Sequence, residues 1–241
     1  MSEKLTSRKN PKVVEAFGYK KNNEEFFLVE GFHTVEMAVE GRLAVSVFAL
    51  EEIETKGVPL YIVTPEIIEK LSSTRNPEGI VAICRKKASG RLSSPRVLML
   101  DQVQDPGNIG TLLRTALAFG YRDIILNEGS CDPYNPKAIL ASQGAIFQLN
   151  LIQGSGLEDV KRLKEEGYYV VGTSLHRAVS LTDFVLPEGK LCLVLGNEGQ
   201  GVALDILENT DINVKIPIVD IDSLNVGVAG GILMQRFSLV K

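Results

Sequence analysis

Cysteine, histidine and long apolar runs are all scarce in this chain of 241 residues. The three cysteines, Cys84, Cys131 and Cys192, lie far apart and are odd in number, which gives neither a disulfide framework nor zinc-ligand spacing. They read as reduced, buried thiols of a cytosolic protein, and no metal is expected. Neither of the two histidines, His33 and His176, has a neighbour that suggests a catalytic triad. No apolar run approaches the ~20 residues that span a bilayer. The first twelve residues carry Lys4, Arg8, Lys9 and Lys12 without an apolar core, so neither a secretory signal nor a membrane anchor is expected. A large excess of one charge is missing too. The net charge of −4 argues against a strong nonspecific nucleic-acid binder, although the first 21 residues are locally basic. That local excess reads either as an RNA-contacting arm or as a solvated terminus. What is there, 44% hydrophobic and 23% charged residues, is the composition of an ordinary globular protein of one large or two modest domains.

The organisation is α/β throughout. The stretch KKASGRLSSP at 86–95 is the only convincing linker, and it sets domains at 1–88 and 96–241 with 89–95 between them. Before it, Asn10-Pro11 opens a helix carrying Val13, Val14 and Phe17. Strands at 26–29, 43–48, 60–63 and 79–84 and helices near 33–39 and 65–71 complete a small unit. After it, strand-like runs at 97–100, 124–126, 146–151, 168–171, 191–195 and 214–218 mostly alternate with helices near 109–119, 136–143, 157–166, 202–207 and 224–237. The runs are continuously apolar rather than alternating, as in strands buried on both faces, and this predicts a mainly parallel sheet covered by helices. Ligands of such sheets bind beyond the carboxyl ends of the strands, which directs attention to the loops after Leu100, Leu195 and Ile218.

Three segments stand out. In DQVQDPGNIGTLLR (101–114), Arg114 lies off the apolar stripe of its helix, one turn after Gly110. A guanidinium beside bare backbone suits an anion such as phosphate, and it equally suits a solvated helix surface. In GNEGQG (196–201), three glycines follow a strand directly, as in a ligand-approached loop or a sharp reversal. The order is not the G-x-G-x-x-G of dinucleotide folds, and no Gly-Lys-Ser/Thr follows, so dinucleotide-dependent redox chemistry and a phosphate loop are both disfavoured. In IPIVDIDSLNVGVAGGILMQRF (216–237), Ser223 is placed to cap a helix with Asn225 in its first turn. That helix is apolar nearly all round, as if buried. Its glycines, Gly227, Gly230 and Gly231, cost roughly 3 kcal/mol against alanine, so a close neighbour must offset them.

Together the three segments resemble the motifs of the SpoU (TrmH-type) class of SPOUT RNA methyltransferases. Asn108, Gly110 and Arg114 match N-x-G-x-x-x-R. Residues 193–201 match a hydrophobic strand followed by G-N-E-G-x-G. Ile216, Pro217, Ser223, Leu224, Asn225 and Val226 match I-P followed by S-L-N-V. The third motif usually continues S-V-A-A-A, where this chain has Gly227-Val228-Ala229-Gly230-Gly231. FLVEGFHTV (27–35), NPEGI (76–80) and TSRKN (6–10) are also similar to the substrate-binding part of members acting on ribosomal RNA.

The resemblance implies a deep trefoil knot within an α/β domain with a mainly parallel sheet, preceded by a smaller ribosomal-protein-like RNA-binding domain, and a homodimer formed through the knotted domain. It implies S-adenosyl-L-methionine as cofactor, held by Leu195, Gly196, Asn197, Gly199, Ile216, Pro217, Ser223 and Leu224. It implies methyl transfer to a ribose 2′-hydroxyl, most naturally in ribosomal RNA, by a cytoplasmic enzyme. Arg114, Asn108, Glu198, Ser223 and Asn225 would form the catalytic set. Arg8, Lys9, Asn10, His33 and Arg114 would meet RNA. A guanidinium does not readily give up its proton, so charge stabilisation suits Arg114 better than the role of general base. Glu198 also reads as an acidic residue near a helix N-terminus. Transfer RNA as substrate, or a non-catalytic RNA-binding or assembly factor with the same fold, are the alternatives.

Overall fold

The computed structural model describes residues 2–20 and 23–238. The chain divides into two compact units, Met1–Ala88 with Tyr134–Phe147, and Ser89–Pro133 with Gln148–Lys241.

The first unit is built from β1 (Glu3–Leu5), α1 (Pro11–Gly18), β2 (Phe26–Glu30), α2 (Phe32–Glu40), β3 (Ala44–Ala49), β4 (Leu60–Val63), α3 (Pro65–Leu71) and β5 (Ile80–Arg85). Its five-stranded sheet has the order β1-β4-β3-β5-β2, with β5 antiparallel to both its neighbours. Helix α1 starts where the sequence places it: Pro11 takes the first helical position and the Asn10 side chain accepts the Lys12 N–H at 2.9 Å. Val13 and Ala16 of α1 join Phe48, Ile67, Ile68, Leu71 and Val81 in a buried cluster. Strand β1 has no counterpart in the sequence reading. Three residues are too few to show alternation, and only parallel pairing with β4 makes them a strand.

The sequence reading puts residues 134–147 inside the C-terminal domain, whereas their packing groups them with the first unit. Helix α5 (Pro136–Ser142) and a 3₁₀ turn (Ala145–Phe147) lie here. Phe27 of β2 packs on Tyr134 and Phe147 at ring separations of 4.7 and 6.4 Å. The apolar run at 146–151 therefore splits. Its first half closes a turn, with the Phe147 N–H on the Gly144 carbonyl, and only the remainder enters a strand, β8 (Asn150–Gln153).

The second unit adds β6 (Arg96–Asp101), α4 (Pro106–Ala118), β7 (Asp123–Leu126), α6 (Leu157–Glu165), β9 (Tyr168–Thr173), β10 (Val179–Ser180), β11 (Lys190–Gly196), α7 (Leu204–Leu207), β12 (Ile212–Lys215) and α8 (Val226–Arg236). Its seven strands run β10-β12-β9-β11-β6-β7-β8, and every described pair is parallel. Val97, Met99, Ile125, Val170, Cys192 and Val194 are buried in it, so the continuous apolar runs do mark a covered sheet. Two boundaries move. The last long strand ends at Lys215, ahead of Ile216-Pro217, whose proline has no N–H to offer a ladder. Helix α8 begins at Val226 because Asn225, not Ser223, is its N-cap: the Asn225 Oδ1 accepts the N–H groups of Gly227 and Val228 at 2.9 and 3.2 Å.

Helix α8 is not buried all round. Leu233, Met234 and Phe237 are buried, each at about 1.5–3 kcal/mol of apolar transfer. Val228 and Ile232 remain 54% and 40% exposed. The glycine arc faces α4. A Cβ on Gly230 would stand 2.4 Å from Leu112 and 2.8 Å from Leu195, and one on Gly227 would stand 3.3 Å from Thr111. The buried Arg96 closes the other end of α8, its Nε donating to the Phe237 carbonyl and its Nη1 to that of Gly189.

Candidate active site

The three motif segments converge at the carboxyl ends of β6 and β11 and the N-terminus of α8. Asp105 caps α4 by accepting the Asn108 N–H at 2.8 Å, which fixes Asn108 in the first turn. The loop after β11 folds back on itself. Asn197 and Gly201 exchange backbone hydrogen bonds of 3.0 and 2.9 Å, and the Asn197 Oδ1 accepts the N–H groups of Gly199 and Gln200. Only glycine fits at 196, since a Cβ would lie 2.2 Å from the backbone of Gly201 and Val202. The reversal carries Glu198 toward α4.

There the side chains join. Asn108 Nδ2 donates to Glu198 Oε1 at 2.8 Å, and Asn225 Nδ2 donates to Asn108 Oδ1 at 2.9 Å. Asn225 in turn holds the first turn of α8 through its carbonyl. One continuous relay thus ties residues 90 and 117 positions apart, and each amide has its donor and acceptor both satisfied. Arg114 is not part of it. It lies six residues along α4 from Asn108, about 9 Å of helical rise, and is exposed with no hydrogen-bond or ion-pair partner among the described residues. Ser223 makes no side-chain hydrogen bond among the described residues and lines the neighbouring cavity.

That cavity, about 430 Å³, opens at the ends of β9, β11 and β12 beside α8. Leu195, Gly196, Asn197, Gly199, Ile216, Ser223 and Leu224 all line it, as the sequence reading places them, and Pro217 does not. Glu198 lines it too. The sequence reading missed other parts of the lining: Thr173 at the end of β9, Ser174 and His176 on the loop that follows it, Val214 of β12 and Ala229 of α8. Nothing local in GTSLHRA marks that loop as part of a site; only the β12-β9-β11 strand order brings it there. Thr173 is anchored by donating its hydroxyl proton to the Val194 carbonyl at 2.9 Å. The size fits an organic cofactor, ~300–1,000 Å³ being usual. An apolar floor (Leu195, Val202, Val214, Leu233) with the carboxylates of Glu198 and Asp222 and the ammonium of Lys215 on its lining suits a flat heteroaromatic group joined to groups of both charges, which is the chemistry of S-adenosylmethionine with its sulfonium and its amino acid end. Among the described residues no group of His, Cys, Asp and Glu could hold a metal ion, and no helix is long and apolar enough to cross a membrane.

Comparison with known proteins agrees with this geometry. The SpoU rRNA Methylase family model matches residues 95–235, the whole span that contains the relay and the cavity. The chain belongs to the SpoU rRNA methylase family. As a member it is an RNA methyltransferase that uses S-adenosylmethionine. An MRM3-like substrate binding domain model matches residues 19–82. The 23S rRNA (guanosine(2553)-2′-O)-methyltransferase RlmP of Bacillus subtilis is 34% identical over 218 residues, 87% of each chain. A putative RNA methyltransferase of the TrmH family from Porphyromonas gingivalis superposes with a TM-score of 0.84 at 27% identity, covering 95% of this chain and 97% of that one. An AdoMet-bound rRNA methyltransferase from Sinorhizobium meliloti does so with a TM-score of 0.85 at 25% identity, covering 98% and 97%.

Proposed function

We propose that this SpoU methylase transfers a methyl group to a ribose 2′-hydroxyl of ribosomal RNA. The observation that carries the reading is the Asn108–Glu198–Asn225 relay, which joins all three motifs at the edge of the cavity. Bound S-adenosylmethionine supplies an electrophilic methyl group on a sulfonium that leaves readily. The loop 196–201, Ile216 and Leu224 would hold the cofactor, and the carboxylates of Glu198 and Asp222 on the same lining would favour its positive charge. Asn108 and Asn225 keep Glu198 from rotating, and Ser223 lines the cavity ready to donate or accept a hydrogen bond. The enzyme's work is then alignment and stabilisation of the hydroxyl as it loses its proton. Arg114 is free to bind phosphate and to stabilise the developing alkoxide, because no protein group engages it among the described residues. The likeness to the curated B. subtilis enzyme supports 23S-type ribosomal RNA over transfer RNA as the substrate.

The first unit is the second reader of the RNA. Strands β1 and β2 both run antiparallel to β5, so the segments that follow them emerge at the same end of the sheet. That end carries Arg8, Lys9 and His33, all exposed. Asn10 beside them is engaged as the cap of α1. The exposed Val228 and Ile232 of α8 support a homodimer through the second unit, and the packing of α8 against α4 and β11 is compatible with the knot. A cytoplasmic setting follows from the ribosomal substrate. The test is transfer of tritiated methyl from S-adenosylmethionine to RNA lacking the modification, followed by mapping of alkali-resistant 2′-O-methyl sites. Label in 23S-type RNA is the expected result. Label only in transfer RNA would move the substrate, and failure of the protein to bind S-adenosylmethionine would favour a non-catalytic RNA-binding factor.

A further inference from the structure

Asp101, the last residue of β6, is a carboxylate that the relay and the cavity leave unexplained. It is 3% exposed and has no cation beside it among the described ion pairs. Its two oxygens face two donors. Oδ2 accepts the N–H of Ala203 at 2.9 Å, and Oδ1 accepts Asn127 Nδ2 at 3.0 Å. Asn127 itself is 4% exposed, follows β7, and accepts the Gly156 N–H through its Oδ1 at 3.3 Å. The next residue, Gln102, turns through a left-handed φ of 57° and accepts Asn197 Nδ2 on its carbonyl at 2.9 Å.

We propose that Asp101 is a positioning residue for methyl transfer, bracing the glycine-rich loop so that Glu198 meets Asn108; this rests on the methyltransferase reading above. The loop leaves β11 at Gly196, which stands opposite Asp101 in the sheet register, and it returns at Ala203. Both of its ends are thus tied to consecutive residues of β6 and its exit, the outgoing end through Asn197 to Gln102 and the returning end through Ala203 to Asp101. Glu198 sits at the apex between the two ties. The residue type follows from the donors. An N–H and an amide NH₂ converge on position 101, and only a carboxylate presents an acceptor to both; asparagine would turn its own NH₂ onto one of them. Two buried acceptors with fixed donors make a stiff brace, and misplacement by about 1 Å of a group that aligns reactants costs up to ~10²-fold in rate.

The inverted pair provides the test. When Asp101→Asn is combined with Asn127→Asp, the amide introduced at position 101 accepts from Ala203 and donates to the carboxylate introduced at position 127, which still accepts from Gly156. The same bonds form with the charge moved by one side chain. Wild type, D101N and D101N/N127D are compared for single-turnover methyl transfer to RNA, S-adenosylmethionine affinity by calorimetry, and thermal melting. D101N alone is expected to lose about 10- to 100-fold in rate with less than a tenfold weakening of cofactor binding. The double variant is expected to regain both within about threefold of wild type. A folded double variant as slow as D101N, or a D101N as fast as wild type, overturns the brace. If the wild type binds cofactor but labels no RNA, the methyl-transfer reading fails, and the brace is then judged by cofactor affinity across the same three proteins. If the variants do not fold, amide exchange on the wild type decides: the Ala203 N–H must exchange at least tenfold more slowly than that of Gln200, and equal rates overturn the proposal.

Discussion

Adding a methyl group at Gly230, and at its neighbour Gly231, tests whether the glycine arc of α8 exists to let α4 approach. At 230 the new Cβ lies 2.4 Å from Leu112 Cδ2 and 2.8 Å from Leu195 Cδ1, whereas ordinary contact begins near 3.4 Å. Both leucines are buried, so Leu112 must retreat by about 1 Å and Leu195 by about half that within a close-packed core. Overpacking of this kind costs about 1–3 kcal/mol, against about 1 kcal/mol regained in helix propensity. Gly230→Ala is therefore expected to be destabilising by up to about 2 kcal/mol. Gly231→Ala meets only Thr115 Cγ2 at 3.9 Å and should keep nearly the whole propensity gain. Urea unfolding of the two variants at one fixed protein concentration gives the comparison, since association would otherwise shift the midpoints. Because Leu195 stands directly before the Gly196 reversal and lines the cavity, Gly230→Ala should also weaken S-adenosylmethionine binding, while Gly231→Ala should not. A Gly230→Ala protein as stable as the Gly231→Ala protein would refute the close-crossing argument. A Gly231→Ala protein destabilised by more than about 1 kcal/mol would show that another surface, such as a second copy of the chain, closes over that side of α8.

Three further outcomes are expected. Arg114→Ala should lower methyl transfer by ~10² or more while leaving cofactor affinity within about twofold, because Arg114 does not line the cavity; unchanged turnover on the true RNA would remove it from the catalytic set. Gly196→Ala places its Cβ 2.2 Å from backbone atoms that have no rotamer to give way, so the loop must open and calorimetry should show S-adenosylmethionine binding lost or weakened at least tenfold. Burial pushes the thiols of Cys84 and Cys192 far above their ordinary value of 9.0. The unfolded chain therefore releases these protons first, and the stability they contribute is full below about pH 9 and falls as pH rises, by about 1.4 kcal/mol per thiol per unit. Melting temperatures measured from pH 8 to pH 10.5 should show this decline, and Cys84→Ala should shallow it; an unchanged slope in that variant would contradict the assignment.

Much of the architecture is written locally. Pro11, Pro106 and Pro136 each stand at the first turn of a helix behind a capping Asn or Asp, and Gly120 and Gly167 take left-handed φ values of 83° and 82° after α4 and α6. Unbroken apolar runs such as VLML mark strands covered on both faces. These signals depend on a few adjacent residues, and helix and strand periodicity report them directly. The three motifs are equally local, and most of the residues they assign to cofactor contact do line the cavity.

What lay beyond the sequence is pairing between distant segments. Ser223 and Asn225 are both good capping residues two positions apart, and the choice of Asn225 is settled where Asn108 meets its amide, 117 residues away. Residues 134–147 have the pattern of any helix in an α/β domain; their place is decided by the Phe27 ring they cover. Glycines 227, 230 and 231 announce that something comes close without naming it, and strand order alone brings α4 there. Periodicity tells which side of an element avoids water. The order in which strands assemble, fixed by burying all those sides at once, decides which neighbour each side receives.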